Sequence, residues 1–151
     1  MISISKLYSD AAESGDELRY DATGDSRPRN EGWERRPIVV WNLGQSCNLA
    51  CRHCYSASTR RQAENEMDDR LRRRFIDQLS DFGIPALLFS GGEPLYQDGV
   101  LSLMEYARSR GLRVSVSTNG TLITEKLAGE MADLGVAYVG VSIDGLAQTH
   151  D

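Results

Sequence analysis

Long apolar runs are missing from the 151 residues: no stretch approaches the roughly 18 to 20 uninterrupted apolar residues of a membrane span. The opening Met1 to Asp10 also lacks the charged-then-apolar layout of a secretion signal. Without either, a cytoplasmic location with no membrane partner is the default expectation. Basic excess is missing as well. Lys and Arg number 17 against 22 Asp and Glu, a formal net charge of -5 with a pI near 5.1, which argues against nucleic acid as a partner. Cysteine is scarce, and Cys47, Cys51 and Cys54 all fall within eight residues, so no thiol can staple distant segments. Clustered thiols in a reducing compartment point instead to metal. What the chain does have is 40% hydrophobic residues, enough for one globular domain with a core.

Residues 1–36 are polar and lack a sustained period, so a largely irregular extension is expected there, with Ile2, Ile4, Leu7 and Tyr8 as a short packed opening. After Pro37 the run Ile38, Val39, Val40, Trp41 predicts a buried strand, closed by a turn at Asn42, Leu43 and Gly44. From the cysteines onward one unit recurs three times: amphipathic helix, glycine, apolar strand, small polar turn. The first copy places Leu71, Phe75, Leu79 and Phe82 at helical spacing, then Gly83, the strand Ala86 to Phe89, and the turn Ser90, Gly91, Gly92, Glu93. The second has Leu101, Met104 and Ala107, then Gly111, the strand Leu112 to Val116, and Ser117, Thr118, Asn119, Gly120. In the third, Thr124 caps a helix bearing Leu127, Met131 and Leu134, Gly135 stops it, and Val136 to Val141 runs into Ser142, Ile143, Asp144, Gly145.

Strands alternating with single helices imply right-handed crossovers and an α/β fold with a parallel sheet, open or curled into a barrel. Such sheets bind ligands at the strands' C-terminal edge, which gathers the cysteine loop and the three polar turns on one rim. Chain reversals alone account for Gly83, Gly111 and Gly135. They do not account for three cysteines on the same rim. A fourth strand without a covering helix leaves a parallel edge open, so the sequence is expected to continue beyond Asp151.

The spacing Cys47-x3-Cys51-x2-Cys54 offers three thiolates and leaves one coordination position without a cysteine, as suits an iron-sulfur cluster that binds a small molecule. Zinc is the rival, with His53 completing a Cys3His set, although structural zinc sites usually take ligand pairs from separated segments. Beyond spacing, Cys47, Asn48, Leu49, Ala50, Cys51, Arg52, His53, Cys54, Tyr55 resembles the signature of the radical S-adenosylmethionine (SAM) superfamily. Gly91, Gly92, Glu93 and Pro94 match its second motif, after the next strand. The resemblance covers about Pro37 to Asp151. It implies the N-terminal part of a radical SAM core domain over residues 37–151, a partial TIM-like (β/α)6 barrel truncated after about four strands.

By that resemblance, Cys47, Cys51 and Cys54 bind three irons of a 4Fe-4S cluster, and the amino and carboxylate groups of SAM chelate the fourth. Glu93 receives the SAM ammonium as a charge-assisted hydrogen bond, and Gly91 and Gly92 admit the methionine portion. Ser117 and Asn119 match positions that contact the ribose or carboxylate, and His53 a position near adenine. The plainer readings are a solvated turn carboxylate for Glu93 and a turn former for Asn119. The implied chemistry is reductive cleavage of SAM to a 5′-deoxyadenosyl radical that abstracts a substrate hydrogen, the cofactors doing the hard step.

Three further segments, Ile2 to Tyr8, Asp16 to Tyr20 and Arg36 to Asn42, resemble a narrower group that modifies siroheme-derived tetrapyrroles in the alternative haem and haem d1 pathways, the didecarboxysiroheme deacetylase-like enzymes. A tetrapyrrole substrate and an electron donor such as ferredoxin or flavodoxin follow from it. That group usually carries a second cysteine-rich region near its C-terminus, which these residues lack. A radical SAM peptide maturase and, from another class, a non-catalytic zinc or iron-sulfur module are the alternatives. Arg70, Arg72, Arg73 and Arg74 read as a solvated helix face, Trp41 and Tyr55 as packing residues, and Asp144 has no assigned role.

Overall fold

The computed structural model describes residues 36–61 and 66–145. The extension expected over residues 1–36 thus lies, Arg36 apart, outside the described residues. Four strands, β1 (Val39–Asn42), β2 (Ala86–Ser90), β3 (Arg113–Thr118) and β4 (Tyr138–Val141), alternate with helices α1 (Asp69–Phe82), α2 (Val100–Ser109) and α3 (Glu125–Asp133). All pairings are parallel and the sheet order is β1-β2-β3-β4. Each strand therefore pairs with its successor across one helical crossover. Right-handed crossovers repeated in that order lay every helix on the same face of the sheet. The result is a sector of a (β/α) barrel, not a doubly wound sheet, which has helices on both faces.

The period-2 alternation of the strands separates the two faces. Toward the helices point Trp41, Leu87, Phe89, Val114 and Val116, which with Ile76, Leu103, Met104 and Ala107 form the buried core. The Trp41 ring meets the edge of Phe75 at 4.9 Å and tilts against Phe89 at 5.8 Å. Toward the other face point Val40, which is 58% exposed, and the half-buried Leu88, Ser115 and Ser117. That face corresponds to a barrel interior.

Helix boundaries follow local chemistry. Asp68 caps α1 by accepting from Leu71 N at 2.7 Å, and Thr124 caps α3 from Leu127 N at 3.2 Å. Gly83, Gly111 and Gly135 take left-handed φ values of 81°, 81° and 69°. The apolar residue after each donates back to its helix: Ile84 N to Leu79 O at 3.2 Å, Leu112 N to Ala107 O at 3.1 Å and Val136 N to Met131 O at 3.0 Å. These residues close helices instead of opening strands, which is why β3 and β4 begin later than their apolar runs. At the other end, β2 and β3 extend into the expected turns, through Ser90 and through Ser117 and Thr118.

One helix face differs from expectation. The buried positions of α1 are Arg72 and Ile76, with Phe75 and Leu79 packed beside them, while Leu71 and Phe82 are about half exposed. Phe82 instead lies under the Arg36 guanidinium at 4.7 Å. Arg72, read as solvated, is buried with its Nη2 3.6 Å from Glu66 Oε2, both side chains 7% exposed. An arginine is tolerated there because the opposite charge is buried with it. Among the described residues no helix is long and apolar enough to cross a membrane.

Candidate active site

Parallel strands deliver their C-terminal ends to one rim, and the loop after β1 crosses it. The neck of that loop is closed by Cys47 N to Thr59 O at 2.8 Å and Thr59 N to Gln45 O at 3.0 Å. Within it, two tight turns, Cys54 N to Cys51 O and Ala57 N to Cys54 O, both at 3.3 Å, space the thiols. The Gly-Gly-Glu turn after β2 lies directly on the neck, with Gly92 N donating to Gly44 O at 2.9 Å and Glu93 N to Ser46 O at 3.0 Å. A Cβ on Gly92 would stand 2.3 Å from Ser46 O, and one on Gly91, whose φ is 121°, 2.7 Å from Gly44 O. The close backbone approach that requires these glycines is therefore, in this structure, the approach to the cysteine loop.

Glu93 is completely buried, which removes the solvated-turn reading. Its Oε1 accepts from Leu95 N at 2.9 Å and from the Thr118 hydroxyl at 2.7 Å, and its Oε2 from Asn119 N at 2.7 Å. Asn119 does more than form a turn. Its Nδ2 donates to Asn48 Oδ1 at 2.9 Å and lies 3.9 Å from Cys47 Sγ, while its Oδ1 accepts from Thr121 N at 2.9 Å. Asn48 Nδ2 completes the ring on the Thr121 hydroxyl at 2.8 Å. A continuous hydrogen-bonded path thus runs from Glu93 through Asn119 to the first cysteine.

The three free cysteines have different surroundings. Cys47 is 8% exposed and its sulfur accepts from Leu49 N at 3.3 Å. Cys54 is half-buried, with Ser56 Oγ at 3.3 Å, Ser58 Oγ at 3.5 Å and Ser58 N at 3.5 Å from its sulfur. The Ser56 hydroxyl first, then the Ser58 hydroxyl and N–H, pull the Cys54 thiol down to about 6 against a smaller opposing effect of burial. Cys51 is exposed. Among the described residues no three His, Cys, Asp or Glu side chains are gathered tightly enough to hold one ion.

Ser117 is a strand residue on the face opposite Thr118, half-buried beside Ser115. His53 is mostly exposed and its Nε2 stands 3.2 Å from Asp144 Oδ2, bringing the turn after β4 to the cysteine loop. Tyr55 is not a packing residue: it is 75% exposed, and its hydroxyl lies 3.3 Å from both Asn42 Oδ1 and Ser90 Oγ, the paired last residues of β1 and β2. Thr118, Asn48, Ser56 and Ser58 had not been singled out. Thr118 was findable, since it continues the buried alternation of Val114 and Val116. The other three follow only from where the loop folds.

Comparison with known proteins agrees with this geometry. The family model of the radical SAM superfamily matches residues 41–151. Fe-coproporphyrin III synthase of Methanosarcina barkeri is 42% identical over 154 residues, covering 100% of this chain and 39% of that protein. Pre-heme d1 synthase of Dinoroseobacter shibae is 39% identical over 124 residues, covering 82% of this chain and 31% of that protein. The chain therefore spans less than two fifths of the length of these relatives. The solved structure of native anSMEcpe with bound AdoMet superposes with a TM-score of 0.60 at 27% identity, covering 75% of this chain and 33% of that one. With two motifs on one rim and a family match over most of its length, the chain belongs to the radical SAM superfamily, close to its haem-synthesising members.

Proposed function

We propose that these residues form the SAM-activating part of an enzyme that modifies side chains of a siroheme-derived or related iron tetrapyrrole. Cys47, Cys51 and Cys54 would hold a 4Fe-4S cluster, and SAM would chelate the iron that has no thiolate. When bound and reduced, that cluster supplies the electron that cleaves the sulfonium to give the 5′-deoxyadenosyl radical. A carboxylate has about four lone-pair sites, and Glu93, with three of them used, would take the SAM ammonium on the fourth once the rim around its buried side chain opens. Asn119, held by Glu93 and Asn48, fixes the rim beside Cys47 against which the amino acid portion docks. Gly91 and Gly92 keep the second motif on the loop, and Ser117 and His53 serve the nucleoside portion. On the inner face the uncharged Leu88, Ser115 and Ser117 lie toward the rim, while Arg113, on the same face of β3, lies at the opposite end of the strand. Cys51 is exposed, so a one-electron donor of the ferredoxin or flavodoxin class can approach from its side.

The observation that carries the chemistry is the path from Glu93 through Asn119 to Cys47, which joins both motifs into one site. The tetrapyrrole reading is supported by the names of the haem-pathway relatives and by the alignment with Fe-coproporphyrin III synthase, which covers the whole chain, residues 1–36 included. Anaerobic reconstitution with iron and sulfide, read by optical and electron paramagnetic resonance spectra with and without SAM, tests the first part. A brown protein whose reduced spectrum changes on adding SAM is expected, whereas a colourless, zinc-loaded protein would refute it. For the substrate, 5′-deoxyadenosine release is expected to rise on adding a polycarboxylate iron tetrapyrrole. A rise with a peptide alone would favour a maturase.

A further inference from the structure

The family signature ends at Tyr55, yet the densest set of hydrogen-bonding groups around any of the three sulfurs comes from the residues that follow it. Ser58 N donates to Cys54 Sγ at 3.5 Å, Ser56 Oγ stands 3.3 Å from it with either atom able to donate, and the thiol donates to Ser58 Oγ at 3.5 Å. The two hydroxyls also contact each other, and Ser56 Oγ reaches Gly91 O at 3.4 Å, which ties the pair to the second motif. Cys47 has one backbone donor and the longer contact from Asn119. The Cys51 sulfur receives no hydrogen bond among the described residues, and the residue is exposed. The turn that makes this cradle is unusual in its backbone: Ala57, between the two serines, is the one non-glycine residue with positive φ, 48°, among those described. Ser56 and Ser58 flank it, and both hydroxyls lie near the sulfur.

Both hydroxyls can rotate to donate when the sulfur is a thiolate. Two hydroxyl protons serve the Cys54 sulfur, the neighbouring hydroxyl and Gly91 O, so at least one hydroxyl and one N–H can point at sulfur together. One-electron reduction adds negative charge to a thiolate-ligated cluster. Donors aimed at a ligating sulfur stabilise that more negative state and raise the reduction potential, hydrogen bonds to the sulfurs being one of the protein's recognised levers on it.

We propose that Ser56 and Ser58 are positioning residues that raise the reduction potential of the cluster through the Cys54 thiolate, easing entry of the single electron the reaction consumes. This rests on the cluster reading above. The electron comes from an external low-potential donor, dithionite in the test, and no proton need move.

The experiment is a redox titration of the reconstituted protein followed by electron paramagnetic resonance, for wild type, Ser56→Ala, Ser58→Ala, the double variant and Ser58→Thr. Both alanine variants should hold wild-type iron and sulfide and show more negative midpoints. The double variant should shift the reduction equilibrium by about tenfold, or about 59 mV for one electron. Ser58→Thr keeps the hydroxyl and should return most of the way to wild type. Identical midpoints at full cluster occupancy would overturn the proposal. Alanine variants that assemble no cluster would overturn it too, by making the hydroxyls structural. A wild-type sample without a reducible cluster would instead refute the ligand assignment itself, and this proposal with it.

Discussion

Burying a carboxylate costs several kcal/mol unless donors replace its water, and Glu93 has three, two of them backbone N–H groups that cannot move away. Glu93→Ala should therefore weaken SAM binding and also loosen Asn119. Each donor left unsatisfied costs about 1–3 kcal/mol. Thermal unfolding of the variant alongside SAM titration separates the effects, because loss of SAM affinity with unchanged Tm would mean the hydrogen bonds to Thr118 and Asn119 are dispensable. At Cys54 the expectation concerns pH. A thiol lowered to about 6 is a thiolate above that pH, and the thiolate is the nucleophile. In metal-free protein, site-resolved alkylation of Cys54 should be half-maximal near pH 6 and fall away below it. A midpoint near 9 would show that the serine hydroxyls do not donate to the sulfur. At this scale spacing and resemblance marked Cys47, Cys51 and Cys54 as candidate ligands. The sequence could not reveal Ser56, Ser58 or Asn48, since their roles depend on loop turns with no periodic signal.

Elements meet at the site through backbone as much as through side chains. The Gly-Gly-Glu turn and the loop neck approach so closely that Gly92→Ala would place a methyl against Ser46 O. Overpacking of this kind costs about 1–3 kcal/mol. Here it should also shift the neck and lower cluster occupancy after reconstitution, read as iron per chain. Wild-type occupancy would mean that the two segments separate without consequence. Helix α1 carries a second dependence, since Arg72→Ala leaves Glu66 buried without its counter-charge. Breaking a buried pair costs about 3–5 kcal/mol. Denaturant unfolding should show a loss of that size, while a change under 1 kcal/mol would mean that water reaches Glu66. The order of helices and strands was legible because three copies of helix, glycine and apolar run repeat the same period. The starts of β3 and β4 were not, because Leu112 and Val136 look like strand residues and act as helix caps, whereas β2 begins at Ala86 as expected. Nor was the α1 face, since a buried arginine is invisible until Glu66 is seen beneath it.

Across the described residues taken together, consecutive parallel strands with their connecting helices on one face leave an inner face open to a reactant and bring four turns to one rim. Polarity then divides the work. Buried groups tie the rim together, and the exposed Cys51, His53 and Tyr55 ring it toward solvent. On the proposed function, this rim would present a cluster with one iron open to SAM. Electron-nuclear double resonance on the reduced, reconstituted protein, with SAM labelled in its amino nitrogen and carboxylate oxygen, reads that coordination. Resolved couplings from both labels to the cluster are predicted, as chelation of one iron requires. A cluster signal in which neither label couples while SAM is bound would contradict the account.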